Sequence, residues 1–436
     1  MMQTPPPRQS KSSLLKNFFL HNQSTNQTVI KNTFWAFVAE GIKKGTLLFL
    51  SILIARYLGV SGYGQFSFAL SFTMLFSVLA DLGLNMLATR EIARNPDQVH
   101  KFISVISTLK ILLGSATFAV IFIIAQFINK TDDIKILIYL FSGYIILNSI
   151  NDFFVAVFRA HEEMQFEALF KVIQSAALLI MTLSLLLLHC SAYWVVSAYL
   201  GSRIVGLAAI IIILRTKQIP VRPAFDLSFT RELLKESWPF ALSTVFYIIY
   251  FSIDSIMISF LLGDREVGIY SASYTLMSGL FYIPFLISIP FFPRMSKLLQ
   301  GTNEEIKSLV SLWNRNLLYA FVPIFLFSFL LAKYIIEILY GQTYAESVIV
   351  FQLLLLALPF KFLSHPPGYS LSALNLHRKR VAIQGFTALF NTVTNYYFIP
   401  LYGITAACVT TFLSCFLLFA LYQIFFNRFL ATRITQ

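Results

Sequence analysis

Charge is what this 436-residue sequence has least of. Asp, Glu, Lys and Arg make up 12% of it and hydrophobic residues 57%, against about 25% charged and roughly 45–50% apolar in an ordinary soluble domain. That balance excludes a water-soluble globule. Cysteine is scarce as well: Cys190, Cys408 and Cys415 stand apart in apolar surroundings, with no CxxC and no histidine cluster, so neither a disulfide framework nor a metal site is expected. The dipeptide Gly-Lys does not occur, which excludes a phosphate loop of the GxxxxGK[ST] type. No connection is large enough for a soluble catalytic domain. The chain is therefore read as not an enzyme, with no catalytic residues, cofactor or metal. Before residue 30 there is no continuous apolar run with a small-residue cleavage pattern, so no removable signal peptide is expected. Residues 1–30 read as a disordered cytoplasmic tail, with a short surface-seeking piece around Leu14 to Leu20.

What recurs instead is apolar runs of the length a helix needs to cross a bilayer. Hydropathy and turn residues place spans at about 31–55, 64–87, 102–127, 134–158, 166–188 and 193–214. A second six follow at about 237–262, 267–292, 313–332, 346–365, 381–399 and 404–426. The expected fold is an all-α membrane protein of about twelve transmembrane helices.

Positive charge tests this assignment. Of the 33 Lys and Arg residues, only Arg56, Lys130, Lys135, Arg265 and Lys333 fall in one set of alternating connections. Lys43, Lys44, Lys110, Arg203 and Lys361 fall inside or at the edges of spans, and the rest lie in the other set and at the termini. Both termini are thus expected on the cytoplasmic side. The net charge of +13 is then a topology signal, and no nucleic-acid partner is expected. The polar stretch "RTKQIPVRPAFDLSFTRELLKE", residues 215–236, divides a six-helix bundle at 31–214 from another at 237–426, with a tail at 427–436.

The halves repeat. Shifted by 204 residues, "ARYLGVSGYGQFSFA" meets "SFLLGDREVGIYSAS", pairing Gly59 with Gly263, Gly64 with Gly268 and Arg90 with Arg294. Both glycines of each pair sit at the same predicted turn, where positive φ is needed. A parallel duplication of this kind predicts two pseudo-symmetric bundles around a central cavity at the membrane midplane.

"ARYLGVSGYGQFSFALSFTMLFSVLADLGLNMLATREIAR", residues 55–94, resembles the opening segment of O-antigen type oligosaccharide flippases in the polysaccharide biosynthesis protein family. "DSIMISFLLGDREVGIYSASYTL" at 254–276 and "IPLYGITAACVTTF" at 399–412 resemble the start of that family's second half and its last loop, although Thr405 stands where a glycine is common. The resemblance implies the multidrug/oligosaccharidyl-lipid/polysaccharide exporter fold. It implies translocation of an undecaprenyl-diphosphate type lipid-linked oligosaccharide across the inner membrane for O-antigen, capsule or exopolysaccharide assembly. Membrane lipid and polysaccharide polymerases are the implied partners, without an obligate subunit. Two alternatives differ in their sequence demands. A cation-coupled multidrug antiporter predicts an acid-dominated cavity, and a membrane glycan polymerase or ligase predicts a sizeable outer loop.

A charge within a span should face protein or water, because lipid exposure costs about 2.5–3.5 kcal/mol. In "AFVAEGIKKGTLLFL", Glu40 is three and four residues before Lys43 and Lys44, within reach of both. Pairing leaves one net positive group, which either contacts a diphosphate or belongs to a structural ion network. Asp254 is expected to pair with Lys43 or Lys44, or to titrate in ion coupling. Arg90 and Arg294 lie at equivalent mouths, to attract the diphosphate head or anchor to lipid. Lys110 and Arg203 are further substrate-binding candidates, and Asp81 and Asp152 join Asp254 as ion-coupling or network candidates. Tyr247, Tyr250, Tyr274, Tyr396 and Tyr397 are candidates for stacking on sugars.

Overall fold

The computed structural model describes residues 25–217, 222–298 and 301–434, and contains no strand among them. The expected surface-seeking piece at 14–20 lies outside the described residues, as does the tail up to residue 24. The first half holds α1 (Thr25–Asp81), α2 (Leu84–Arg94), α3 (Val99–Phe127), α4 (Asp132–Ala160), α5 (Met164–Leu187) and α6 (Ala192–Thr216). The second holds α7 (Leu227–Leu261), α8 (Asp264–Leu280), α9 (Tyr282–Ser288), α10 (Phe291–Lys297), α11 (Asn303–Leu330), α12 (Ala332–Tyr340), α13 (Ser347–Leu355), α14 (Leu358–Ala373), α15 (His377–Tyr402) and α16 (Ile404–Ile434).

Among the described residues, nine helices are long and apolar enough to cross a membrane, or ten if the bent α8–α10 stretch is one span. This is a multi-pass membrane protein. The expected twelve is reached only if α1 is counted twice and α15 is added. Outward apolar groups such as Phe127 and Leu187, 85% and 80% exposed, suit lipid as the surrounding solvent. Several boundaries differ from expectation. The connection between halves shortens because α7 begins at Leu227, before residue 237, and the expected tail at 427–436 continues α16 as helix to Ile434.

α1 cannot be one rod, since its 57 residues would run about 85 Å at 1.5 Å per residue, against about 30 Å of hydrocarbon. The break is at Gly59, with φ 67° and ψ 178°. Ser51 and Tyr63, about 18 Å apart on a continuous helix, share a hydrogen bond of 2.6 Å across it, so the chain folds back there. Gly263, the repeat counterpart, has φ 136° and separates α7 from α8. The two limbs of α1 thus correspond to α7 and α8.

The second glycine of each pair has a different task from the expected turn. Both lie within helices, where the halves touch backbone to backbone. A Cβ on Gly64 would stand 1.7 Å from the Asp264 carbonyl oxygen, and one on Gly268 would stand 2.0 Å from the Val60 carbonyl oxygen. Val60 and Asp264 are themselves repeat-equivalent, so the contact is reciprocal. Tyr344 donates to the Ala55 carbonyl at 2.8 Å beside it. Lys130 reaches the Asp264 carboxylate at 2.7 Å and the Ser259 carbonyl at 2.9 Å. This end of the molecule is closed. At the other end, where most of the basic residues collect, Arg90 bridges to Glu236 at 2.5 Å along one flank.

Candidate functional site

Between the halves lies a cavity of about 1130 Å³, walled by α1, α4, α6, α7, α8, α9, α14, α15 and α16. It begins beneath the Gly64–Gly268 contact at Tyr63 and extends toward the basic end as far as Glu40, about 28 Å from Gly59 along the limb. Its wall is aromatic and hydroxylic. Tyr63 and Phe66 stack at 6.2 Å, and Phe66 packs edge-on to Tyr199 at 5.7 Å. Opposite them Tyr274 stacks on Tyr270 at 5.5 Å. Rings that expose an apolar face and a polar edge suit ligands with both characters, which includes sugars.

The charged wall is unequal in sign. Glu40 is its one carboxylate among the described residues, against Lys44, Arg159, Lys361 and Arg380. Glu40 does not serve Lys43 and Lys44 as the spacing suggested: its Oε1 accepts from Lys171 instead. Lys171 also binds Glu167 at 2.7 Å, and Glu167 takes both Nε, at 2.6 Å, and Nη2 of Arg159. Arg159, Glu167, Lys171 and Glu40 therefore form a chain of alternating sign that closes on itself electrostatically. Lys44, four residues from Glu40, is left exposed on the wall with no carboxylate within 4.0 Å among the described residues. Lys43 is half-buried and off the wall.

The other expected residues are dispersed. Lys110 is a substrate candidate no longer supported by position: it is buried off the wall, bonded to Asp81 and, at 2.8 Å, to Ser149. That pairing is a structural answer to a buried charge, and it equally occupies Asp81. Arg203 is buried behind the wall, donating to Gln174 and to the Tyr144 hydroxyl at 3.2 Å. Asp152 accepts from Asn148 at 2.8 Å. Arg90 is bonded to Glu91 and Glu236, each at 2.5 Å, and Arg294 is exposed on α10, both off the wall.

Asp254 meets neither Lys43 nor Lys44. It is buried inside the second half, accepting from Tyr270 at 2.6 Å, Asn395 at 2.6 Å and Thr411 at 3.0 Å. Among the described residues no three His, Cys, Asp or Glu side chains group as metal ligands. Of the tyrosines, Tyr247, Tyr250 and Tyr274 line the cavity, whereas Tyr396 and Tyr397 face outward at 61% and 64% exposure.

Arg159, Lys171 and Arg380 escaped the sequence reading because they were counted with the basic residues of the cytoplasmic connections. α4 extends over Arg159 and α15 begins before Arg380, which turns those loop cations into helix-borne ones, whereas Lys171 lay inside the expected span at 166–188 and was only counted with the cytoplasmic charges. The four-residue spacing of Glu167 and Lys171 on an apolar run was the signal available.

A model of the polysaccharide biosynthesis protein family matches residues 29–299. The putative O-antigen transporter of Shigella flexneri is 23% identical over 409 residues, covering 88% of this chain and 94% of that relative. Among solved structures, the lipid II flippase MurJ in an inward closed conformation superposes with a TM-score of 0.73 at 16% identity, covering 90% of this chain and 87% of that one. An inward-facing multidrug resistance MATE family transporter of the MOP superfamily gives 0.71 at 14% identity, covering 91% and 98%. The fold is that of the MOP superfamily transporters.

Proposed function

The chain belongs to the polysaccharide biosynthesis protein family, and from that premise we propose that it is a flippase. It carries a polyprenyl-diphosphate-linked oligosaccharide across the cytoplasmic membrane by alternating access, for surface polysaccharide assembly, and does no chemistry on its cargo. The observation that carries this reading is the cavity's surplus of positive charge over a single, already paired carboxylate. In a low-dielectric chamber an uncompensated ammonium attracts a diphosphate far more strongly than in water. An acid-dominated wall, as a cation antiporter would want, is not what lines it.

In this reading Lys44 contacts the diphosphate, and Arg159, set by Glu167, shapes the field beside it. The polyprenyl chain stays in the bilayer while the sugars enter among the tyrosines. The basic connections lie on the cytoplasmic side with both termini, so the open end of the cavity faces the cytoplasm and the Gly64–Gly268 contact closes the outer end. Two six-helix bundles, 31–214 and 237–426, rock against each other so that this contact parts when the cavity opens to the outside. Asp254, a buried carboxylate surrounded by neutral donors, is the group for ion coupling. Polysaccharide polymerases draw on the product at the outer leaflet.

The test is reconstitution of the full chain in liposomes with a defined lipid-linked glycan. A charge-assisted hydrogen bond is worth about 1.5–3 kcal/mol, so Lys44→Ala should slow flipping by about tenfold or more, with Lys43→Ala costing less than about threefold. A Lys44→Ala protein that is folded and flips at the wild-type rate removes Lys44 from the site.

A further inference from the structure

The second half of the cavity carries positive charge that the diphosphate contact at Lys44 leaves unused. On α14, Lys361, His365 and Tyr369 recur at four-residue spacing, which aligns them on one helix face. The Lys361 ammonium lies 5.2, 5.3 and 5.5 Å from the ring centroids of Phe281, Tyr250 and Phe251. His365 stacks on Tyr369 at 5.4 Å, and the Arg380 guanidinium lies 4.8 Å over the same Tyr369 ring. All four side chains line the cavity.

Neither cation has a carboxylate within 4.0 Å among the described residues. Glu40, the wall's one acid, is bonded to Lys171. Asp254 is off the wall, with its oxygens taken by Tyr270, Asn395 and Thr411. Arg380 Nη1 donates to Ser372 at 2.9 Å, a neutral acceptor that leaves the guanidinium charge uncompensated. A guanidinium on the cavity wall presents planar pairs of N–H groups that match a carboxylate.

We propose that Lys361 and Arg380 form a second anion subsite, which takes a carboxylate borne by a sugar of the translocated glycan. The substrate is then an acidic oligosaccharide, of the uronic acid class. This rests on the flippase reading, in which the diphosphate is held from the first half by Lys44 and the glycan reaches across the cavity. The rings around Lys361 can hold an ammonium without supplying a counter-charge.

The experiment measures binding to the full-length protein in nanodiscs of two probes. One is a polyprenyl-diphosphate disaccharide ending in glucuronic acid, and the other is the same molecule with that carboxyl reduced to give glucose. Wild type should bind the acidic probe about tenfold more tightly, the effect of one charge-assisted hydrogen bond. Lys361→Met with Arg380→Gln should abolish the preference, weakening the acidic probe about tenfold more than the reduced one. The charge-retaining pair Lys361→Arg with Arg380→Lys should keep most of the preference, which separates charge from packing. Equal binding of the two probes by wild type, or a preference that survives in the Met/Gln variant, overturns the second subsite while leaving the flippase reading intact. If the Met/Gln variant weakens both probes equally, the residues hold the diphosphate and the proposal is again overturned. Failure of wild type to bind either probe overturns the flippase reading itself, and this inference with it.

Discussion

Adding one methyl group at Gly64 should open the closed end of the molecule. A Cβ there would stand 1.7 Å from the Asp264 carbonyl oxygen and 2.7 Å from its carbon. Ordinary contact begins near 3.4 Å, so the halves must separate by about 1.7 Å. The obstacle is backbone on both sides, with no flexible side chain to swing away. Overpacking of this kind costs about 1–3 kcal/mol, and only the conformation closed at this end bears the cost. The equilibrium should therefore move toward the alternative state by about 5–150-fold. The assay is labelling of Ser67→Cys, a buried position on the cavity wall, in a Cys190→Ser background, with a membrane-impermeant maleimide applied from the Gly59 side. Labelling of Gly64→Ala should rise at least about fivefold, and Gly268→Ala should behave alike because its Cβ meets Val60 in the same way. Gly41→Ala, where nothing lies within 4 Å, should leave labelling unchanged. Folded Gly64→Ala protein labelled at the wild-type rate would refute the reasoning, since the contact would then not be what closes this end.

Two further outcomes concern charges outside the cavity. Lys110→Met should lower the thermal unfolding midpoint in detergent by the equivalent of about 3 kcal/mol, because it leaves the Asp81 carboxylate without its cation. Adding Asp81→Asn should recover most of that loss, and a double variant no better than the single one would show that the pair acts otherwise. Asp226 caps α7: the Phe229 amide at 3.0 Å and the Ser228 hydroxyl at 2.7 Å hold its carboxyl down to about 2. The folded value lies below the unfolded value of about 3.9, so the cap's stabilisation is complete above that value and is lost as pH falls through about 2. Hydrogen exchange at the first turn of α7 should accelerate over that window, and Asp226→Ala should remove the acid-dependent part.

The repeat shows how far the sequence reached. The paired glycines were visible as a pattern, and one physical reason, positive φ at a turn, was assigned to all four. It holds for Gly59 and Gly263. Gly64 and Gly268 answer to a contact between segments some two hundred residues apart, which no local spacing encodes. The charges follow the same division. Glu40 lies within reach of both lysines by helix geometry, yet it bonds to Lys171, because α5 brings a third, more buried cation against α1. In the sequence Arg380 is one of three loop cations at 378–380, whereas α15 begins at His377 and carries it. The embedded position of Lys361 was legible; the ring cage around it was not.

By itself the sequence determined that this chain lives in a membrane as a bundle of helices, that it is duplicated, and which short connections carry the positive charge. Those properties are written in composition and in periods shorter than a span, so each segment carries its own part of the message. Only the tertiary structure decided which charges cancel. Ion pairing falls off over a few ångströms and depends on how helices distant in sequence are placed. Lys110 and Asp81 were thereby withdrawn into the packing, while Lys44, Lys361 and Arg380 were left facing the cavity.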